Sequence, residues 1–205
     1  MAIITVQQID DRLKDDESYF AGKLLVAMPG MEDFRFYRAV IYLCAHDEHG
    51  AMGLIINQPL PDLEFGDLLN QLKVVEGLQM PQQTEALVHV MHGGPVEGAR
   101  GFLLHSNDFS KPDTIKVDER IFVTGTLDAL CDVALGDGPK DKLFILGYAG
   151  WSAGQLDHEL QQNAWLVADA DPALVFDADT QSKWERAVKT LGIDPLMLSA
   201  SGGTA

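Results

Sequence analysis

The sequence has little that would suit a secreted or membrane-spanning protein. Its 205 residues include only two cysteines, Cys44 and Cys131, each inside an apolar segment, so we expect no disulfide framework and a reducing compartment. No run reaches the roughly 18 apolar residues of a membrane span. The N-terminus also lacks a basic stretch followed by an apolar one, as a signal peptide would have. We therefore predict a cytoplasmic protein.

Positive charge is also scarce. Lys and Arg number 15 against 31 Asp and Glu, which gives a net charge of −16 at pH 7. Such a charge repels phosphate backbones and anionic membrane surfaces. Lys23, Arg35 and Arg38 come nearest to a basic cluster, and we expect them to be solvated surface charges without the interleaved aromatics of a single-strand platform. The composition argues against direct nucleic-acid binding and against a membrane, and leaves an unidentified protein or small molecule as the expected partner.

Motifs that hold cofactors or metals are missing as well. Gly93-Gly94-Pro95 is not a phosphate-binding loop of the Walker type, because no Lys-Ser/Thr follows it. Cys44, His46 and His49 have the spacing Cys-x-His-x-x-His, but no second Cys or His cluster completes a tetrahedral site. Asp, His and Gly are also common where a chain reverses direction. We therefore expect no cofactor and no metal.

Apolar runs separated by turn residues predict short strands and helices throughout the chain. Strands are expected at about 23–28, 39–45, 53–57, 88–91, 101–105, 114–123 (a hairpin), 142–146 and 165–168. Helices are expected at about 62–72, 126–135 with Thr126 as N-cap, 155–163, and from 180 onwards. The second and third strands should form one antiparallel hairpin, and the fourth and fifth another pair.

Hairpins interleaved with short helices do not give the regular alternation of a parallel α/β sheet. We therefore predict one α+β domain over residues 1–205, with a mostly antiparallel, bent sheet flanked by short helices. Residues 1–20 are expected to be an N-terminal segment that is packed or partly mobile, and residues 199–205 a frayed tail.

The glycine-rich segment that begins at Gly147 supports two interpretations. Gly150-Trp151-Ser152-Ala153-Gly154 matches the Gly-x-Ser-x-Gly pattern of a nucleophile elbow, and His92-Gly93-Gly94-Pro95 is similar to the loops that build oxyanion holes. Ser152-Ala153-Gly154-Gln155 is also a Ser-x-x-Gln capping box. We expect a strand-to-helix turn here and favour Ser152 as the N-cap of the helix that follows.

The order of the residues along the chain argues against a standard α/β-hydrolase. That class has its histidine after the serine and the acid, and the only histidine after Ser152 is His158, close by on the same predicted helix. A convergent site with an upstream histidine stays open, since such sites are defined by geometry. The candidates are His46, His49, His89, His92 and His105.

Four blocks of sequence stand out between about Gly22 and Gly192: Gly22–Pro29, Gly50–Pro59, Gly93–Val96, and Gly147–Trp151 continued by Gln155, Leu156 and Glu159. Together they resemble the AlgH/YqgE family of small bacterial proteins. The resemblance implies an α+β fold of the family's own, a cytosolic location, no established enzymatic activity and a label of transcriptional regulator. It supplies no agreed catalytic residues.

Our leading hypothesis is a non-catalytic, ligand- or protein-binding regulatory protein with at most an indirect effect on transcription. Strands that end in glycine-rich loops often gather a functional surface on one rim of a sheet. The expected binding groove comprises Asn57, Gly93, Gly94, Gly147, Tyr148, Gly150 and Trp151. Two alternatives stay open, namely a serine hydrolase that uses Ser152 and a DNA-binding transcriptional regulator.

Overall fold

The structure, a computed structural model, describes residues 19–71, 88–125 and 127–198. The predictions for most of the N-terminal segment, for Thr126 as an N-cap and for the 199–205 tail lie outside these residues.

The strands are β1 Lys23–Ala27, β2 Val40–Asp47, β3 Gly50–Ile55, β4 Val90–His92, β5 Val96–Ser106, β6 Ile115–Lys116, β7 Ile121–Thr124, β8 Lys142–Ser152 and β9 Trp165–Asp169. The α-helices are α1 Phe65–Gln71, α2 Leu127–Leu135, α3 Gln155–Gln161, α4 Pro172–Val175 and α5 Lys183–Thr190, and 3₁₀ turns cover Phe34–Phe36 and Pro195–Met197. Within the described ranges, no helix is both long enough and apolar enough to cross a membrane.

The strands form one sheet in the order β6-β7-β5-β8-β3-β2-β1-β9, and β4 joins it beside β8. Every pairing is antiparallel except that of β4 with β8. The sheet curls so that its two ends meet: the Tyr42 hydroxyl donates to Asp118, and the Arg120 guanidinium donates to the Ala170 carbonyl. The α+β prediction is confirmed, as are the β2–β3 and β6–β7 hairpins.

The predicted pairing of the strands near 88–91 and 101–105 is wrong. Strand β8 lies between them, with Ile145 opposite Met91 of β4 on one side and Phe102 of β5 on the other. Phe144 and Ile145 in this part of β8 are buried, so their backbone groups on both edges of the strand need partners within the sheet. Strand β8, which comes later in the chain, therefore lies between β4 and β5, so these two strands do not form a hairpin with each other.

Side chains alternate between the two faces of the sheet, and each face is covered by helices. One face carries the largest group of buried residues, including Leu24, Tyr42 and Leu54, which pack with Trp184 and Val188 of α5. On the opposite face, α1 and α2 cover the β5–β8 half. Helix α3 covers the half formed by β8, β3, β2, β1 and β9.

Candidate functional site

The glycine-rich segment lies inside strand β8 and not in a turn. The strand continues to Ser152, which pairs with Gly50 of β3. Gly147 has a φ of 74°, which favours glycine, and it follows Leu146, the last residue of β8 that pairs with β4. The strand-to-helix turn is therefore limited to Ala153-Gly154. The prediction was wrong because β3, distant in sequence, supplies a ladder that extends β8 past its glycines.

The Ser152 hydroxyl does not cap helix α3. Gly154 occupies the N-cap position with a φ of 68° and makes no side-chain capping hydrogen bond. One half of the predicted capping box is present, because the Ser152 N–H donates to Gln155 Oε1 at 3.0 Å. The Ser152 residue is exposed, and α3 begins at Gln155, with Gly154 and not Ser152 at its N-cap position. The predicted capping role of the hydroxyl is therefore wrong.

His46, which pairs with Ala51 of β3, faces a carboxylate and not Ser152. The imidazole is buried, with Nε2 3.5 Å from Asp157 Oδ2 and with Nδ1 unpartnered among the described residues. Tyr19 and Phe20 enclose the ring. Within the described ranges, no hydrogen bond joins the Ser152 hydroxyl to any imidazole. Activation of Ser152 as a nucleophile has no geometric support there.

His105 is an internal link between β5 and β7. Its Nδ1 lies 2.8 Å from the Ser106 carbonyl oxygen, and its Nε2 lies 2.9 Å from the Thr124 hydroxyl. Because a carbonyl only accepts, Nδ1 carries the proton and Thr124 donates to Nε2. Burial lowers the pKa of His105, which keeps the ring neutral. Neither His105 nor Thr124 is accessible to a substrate.

The other histidines and the cysteines do not converge on a metal site. His49, His89 and His158 are exposed, whereas Cys44 is buried in the core. In the ranges that the structure describes, no group of three or more His, Cys, Asp or Glu side chains lies close enough to hold a metal ion.

A carboxylate between two tryptophans organises the region around α3. Trp151 of β8 and Trp165 of β9 each donate their indole N–H to Glu159 Oε2 at 2.8 Å. Gln155 Nε2 donates to the other oxygen, Oε1, at 2.9 Å. Both indoles are buried. The role of Glu159 was missed, although its position one turn after Gln155 places the two side chains on one face of α3.

The segments predicted to form a groove do meet. The Gly93 N–H donates to the Leu146 carbonyl at 2.7 Å, and the Ile55 N–H donates to the Gly93 carbonyl at 3.0 Å. A Cβ on Gly93 would lie 2.2 Å from the Gly147 carbonyl oxygen, and one on Gly94 would lie 2.4 Å from that of Tyr148. These glycines therefore permit direct packing of backbone on backbone, and they are buried. Their part in binding stays a prediction.

Asn57 and Gln58, at the end of β3, hold the turn that precedes β2. Asn57 Oδ1 accepts from the Val40 N–H at 2.8 Å, and its Nδ2 donates to the Arg38 carbonyl at 2.9 Å. Gln58 Nε2 donates to the Arg35 carbonyl at 3.0 Å. Both the oxygen and the nitrogen of the Asn57 amide thus make structural hydrogen bonds. These bonds position the Phe34–Arg38 turn.

That turn presents aromatic and basic side chains that the sequence analysis missed as a group. Phe34 is 85% exposed and Tyr37 is 62% exposed. The Arg38 guanidinium lies 4.7 Å from the centre of the Trp184 ring and 3.7 Å from a Glu185 oxygen. The signal in the sequence that could have identified this group is the interleaving of aromatic and basic residues in Phe34-Arg35-Phe36-Tyr37-Arg38.

Lys23 is not part of this group. It begins β1, whereas Ala27 at the opposite end of that strand bonds to Ala39 beside the turn. The Lys23 ammonium pairs instead with Asp169 at 2.6 Å. The basic cluster suggested by the sequence therefore reduces to Arg35 and Arg38.

A buried lysine lies beneath the same region. Lys183 Nζ donates to the Ile56 carbonyl at 3.0 Å and to the Val175 carbonyl at 2.7 Å. Burial lowers the pKa of Lys183 to about 8. The ammonium thus ties the end of β3 to the last residue of α4, and no buried carboxylate among the described residues pairs with it.

Comparison with known proteins agrees with this fold. A family model described as AlgH-like matches residues 24–196. A UPF0301 protein of Methylocella silvestris is 53% identical over 192 residues, which cover 92% of this chain and 93% of the relative. A UPF0301 protein of Jannaschia sp. is 52% identical over 186 residues, covering 90% of this chain and 94% of the relative.

Solved structures show the same architecture. The solution structure of the AlgH protein from Pseudomonas aeruginosa has a TM-score of 0.74 at 40% identity, covering 94% of this chain and 99% of that one. A crystal structure of a Corynebacterium diphtheriae protein has a TM-score of 0.65 at 19% identity, covering 85% and 87%, and bears on the fold alone. The family model and the close relatives together establish that this chain belongs to the AlgH-like family.

Proposed function

We propose that this protein is a non-catalytic, cytoplasmic binding protein with a regulatory role. The proposal rests on the structural roles of residues in and just after the glycine-rich segment that begins at Gly147. Trp151, Gln155 and Glu159 anchor helix α3, and the glycines allow strands to pack closely. Residues used in this way build a rigid support for a surface, and rigid support is what a binding site requires.

The proposed binding face is the rim around Asn57, Gly93-Gly94 and the segment 147–152. Backbone hydrogen bonds and direct contacts hold these segments together, so a partner would meet a surface that changes little on binding. The partner is a protein or a small molecule. With a net charge of −16, any effect on transcription is expected to be indirect, because DNA binding gains affinity by neutralising phosphates.

Quantitative capture from native cytosol tests this proposal. The full chain is immobilised, and saturable partners are compared between the wild type, Asn57→Ala and the control Lys189→Ala, which changes an exposed residue of α5 outside the proposed face. We expect partners whose capture falls about tenfold with Asn57→Ala, since the Phe34–Arg38 turn and β2 lose the two hydrogen bonds of the Asn57 amide, and is unchanged with Lys189→Ala. Absence of any saturable partner for the wild type would contradict a binding function.

Two further measurements separate the alternatives. A fluorophosphonate probe labels an activated serine, and we expect no labelling because the Ser152 hydroxyl lacks an imidazole partner among the described residues. Labelling that is lost in Ser152→Ala would establish a hydrolase instead. Tight DNA binding that weakens steeply with salt in a gel shift would establish a direct transcriptional regulator.

A further inference from the structure

We infer that the Phe34–Arg38 turn, called here the aromatic turn, is a docking surface for a basic protein partner that receives Phe34 and Tyr37 in an apolar pocket. The inference rests on the proposed binding function and names the surface and the chemistry of its partner.

Of the three aromatic rings in the aromatic turn, one packs against the core and two are exposed to solvent. Phe36 packs against Trp165 with a ring separation of 5.6 Å, edge to face. Phe34, two residues before it, and Tyr37, the next residue, are 85% and 62% exposed. One ring therefore anchors the turn while two others project from it. Exposed aromatic side chains of this kind are the residues that most often dominate binding energy at protein interfaces.

The turn is held firmly in this conformation. Asp33 caps it by accepting from the Arg35 N–H at 3.0 Å, and the Tyr37 N–H donates to the Phe34 carbonyl at 3.1 Å. Arg38 has a φ of 49°, which a non-glycine residue adopts only when its surroundings impose it. The Asn57 hydrogen bond to the Arg38 carbonyl supplies that constraint. A surface fixed before binding loses less conformational entropy on association.

The charges around the two rings identify the partner. Arg35 is paired with Asp33 at 2.6 Å, and Arg38 lies beside Glu185, so the basic charges of the turn are offset within the chain. Exposed Glu32 adds a further carboxylate, and the chain as a whole carries −16. This field repels nucleic acids, anionic membranes and a second copy of the chain, and it attracts a basic protein.

Nuclear magnetic resonance titration of the full chain with defined probes tests this surface. The probes are an amphipathic helical peptide of leucine and lysine and a matched peptide of leucine and glutamate. We expect the lysine peptide to cause saturable amide shifts centred on residues 32–38 and the glutamate peptide to cause none. The double variant Phe34→Ala/Tyr37→Ala should bind the lysine peptide at least tenfold more weakly.

Leu196→Ala/Met197→Ala is the matched control, because these side chains are 92% and 80% exposed at a different 3₁₀ turn. It should bind as the wild type does. Shifts spread evenly over the acidic surface and unchanged by Phe34→Ala/Tyr37→Ala would overturn the inference. Self-association that this double variant abolishes would also overturn it, in favour of a second copy.

The capture experiment separates this inference from the proposed function. Partners that the wild type and Phe34→Ala/Tyr37→Ala retain equally would leave the binding function in place and overturn the aromatic turn as its surface. Basic partners lost only with that double variant, and kept by Leu196→Ala/Met197→Ala, would support both.

Discussion

Trp151 and Trp165 donate their indole N–H groups to one oxygen of Glu159, and their rings meet nearly at right angles with centroids 5.9 Å apart. The two residues belong to β8 and β9, which are separated by three strands in the sheet. Their side chains therefore meet across the face that α3 covers. This contact fixes the helix to strands on both sides of that half of the sheet.

Replacing Glu159 with leucine should destabilise the fold strongly. Both buried indole N–H groups would lose their acceptor, and each unsatisfied donor costs about 1–3 kcal/mol, so we expect a loss of roughly 2–6 kcal/mol in the free energy of unfolding. Glu159→Gln keeps one acceptor oxygen and should lose about 1 kcal/mol. Urea unfolding measures both, with Gln161→Leu on the exposed side of α3 as the control. Equal midpoints for Glu159→Leu and the control would contradict the shared acceptor.

Adding a methyl group at Gly93 should be far more harmful than adding one at Gly98. The new Cβ at Gly93 would stand 2.2 Å from the Gly147 carbonyl oxygen, whereas at Gly98 nothing lies within 4 Å. The contact at Gly93 is with backbone, which cannot rotate away. We therefore expect Gly93→Ala to cost about 3 kcal/mol or more and Gly98→Ala to be nearly neutral. Thermal melting of both variants checks this, and similar melting temperatures would disprove the close packing.

Ser152→Ala should change the free energy of unfolding by less than about 0.5 kcal/mol, because the hydroxyl is exposed and does not cap α3. Gln155→Ala removes the acceptor for the Ser152 N–H and a donor to Glu159, so it should cost roughly 1 kcal/mol. Denaturant midpoints for the two variants give the comparison. A larger loss for Ser152→Ala than for Gln155→Ala would restore the capping role of the serine.

Lys183 should make stability depend on pH in the alkaline range. Burial lowers its pKa from 10.5 to about 8, so between these values the unfolded chain binds the proton more tightly than the folded one. The free energy of unfolding contributed by this group therefore rises with pH from about 8 to 10.5, and the cost of burying the charge is fully present below pH 8.

The measurement is urea unfolding of the wild type and of Lys183→Met between pH 7.5 and 10, with the exposed Lys189→Met as the control. Burial also raises the pKa of the Cys44 thiol, which acts in the opposite direction, so the difference between wild type and variant isolates the lysine. We expect that difference to shift in favour of the wild type as the pH rises. A constant difference would show that Lys183 has an ordinary pKa in the folded protein.

Local patterns were enough to predict the elements whose partners are near in sequence. The β2–β3 hairpin follows from two apolar runs joined by a short turn, where Asp47 Oδ1 accepts from the His49 and Gly50 N–H groups. Helix α5 follows from the spacing of Trp184 and Val188, which are both buried.

Elements stabilised by distant partners were not predicted correctly. The extension of β8 past Gly147 depends on pairing with β3, and the separation of β4 from β5 depends on β8, so neither is encoded in a short window of sequence. The Ser-x-x-Gln pattern was satisfied only by its glutamine. Glu159 resembles any helical glutamate until the fold brings Trp151 and Trp165 to the same side chain.

The position of β8 in the sheet also bears on synthesis. This strand forms ladders with β3, β4 and β5, which are all translated before it. A nascent chain that ends ahead of Lys142 therefore exposes unpaired edges on three strands at once, and such edges promote association with other chains. We expect the sheet of the ribosome-bound protein to stay incomplete until β8 emerges and then to form in a single late step.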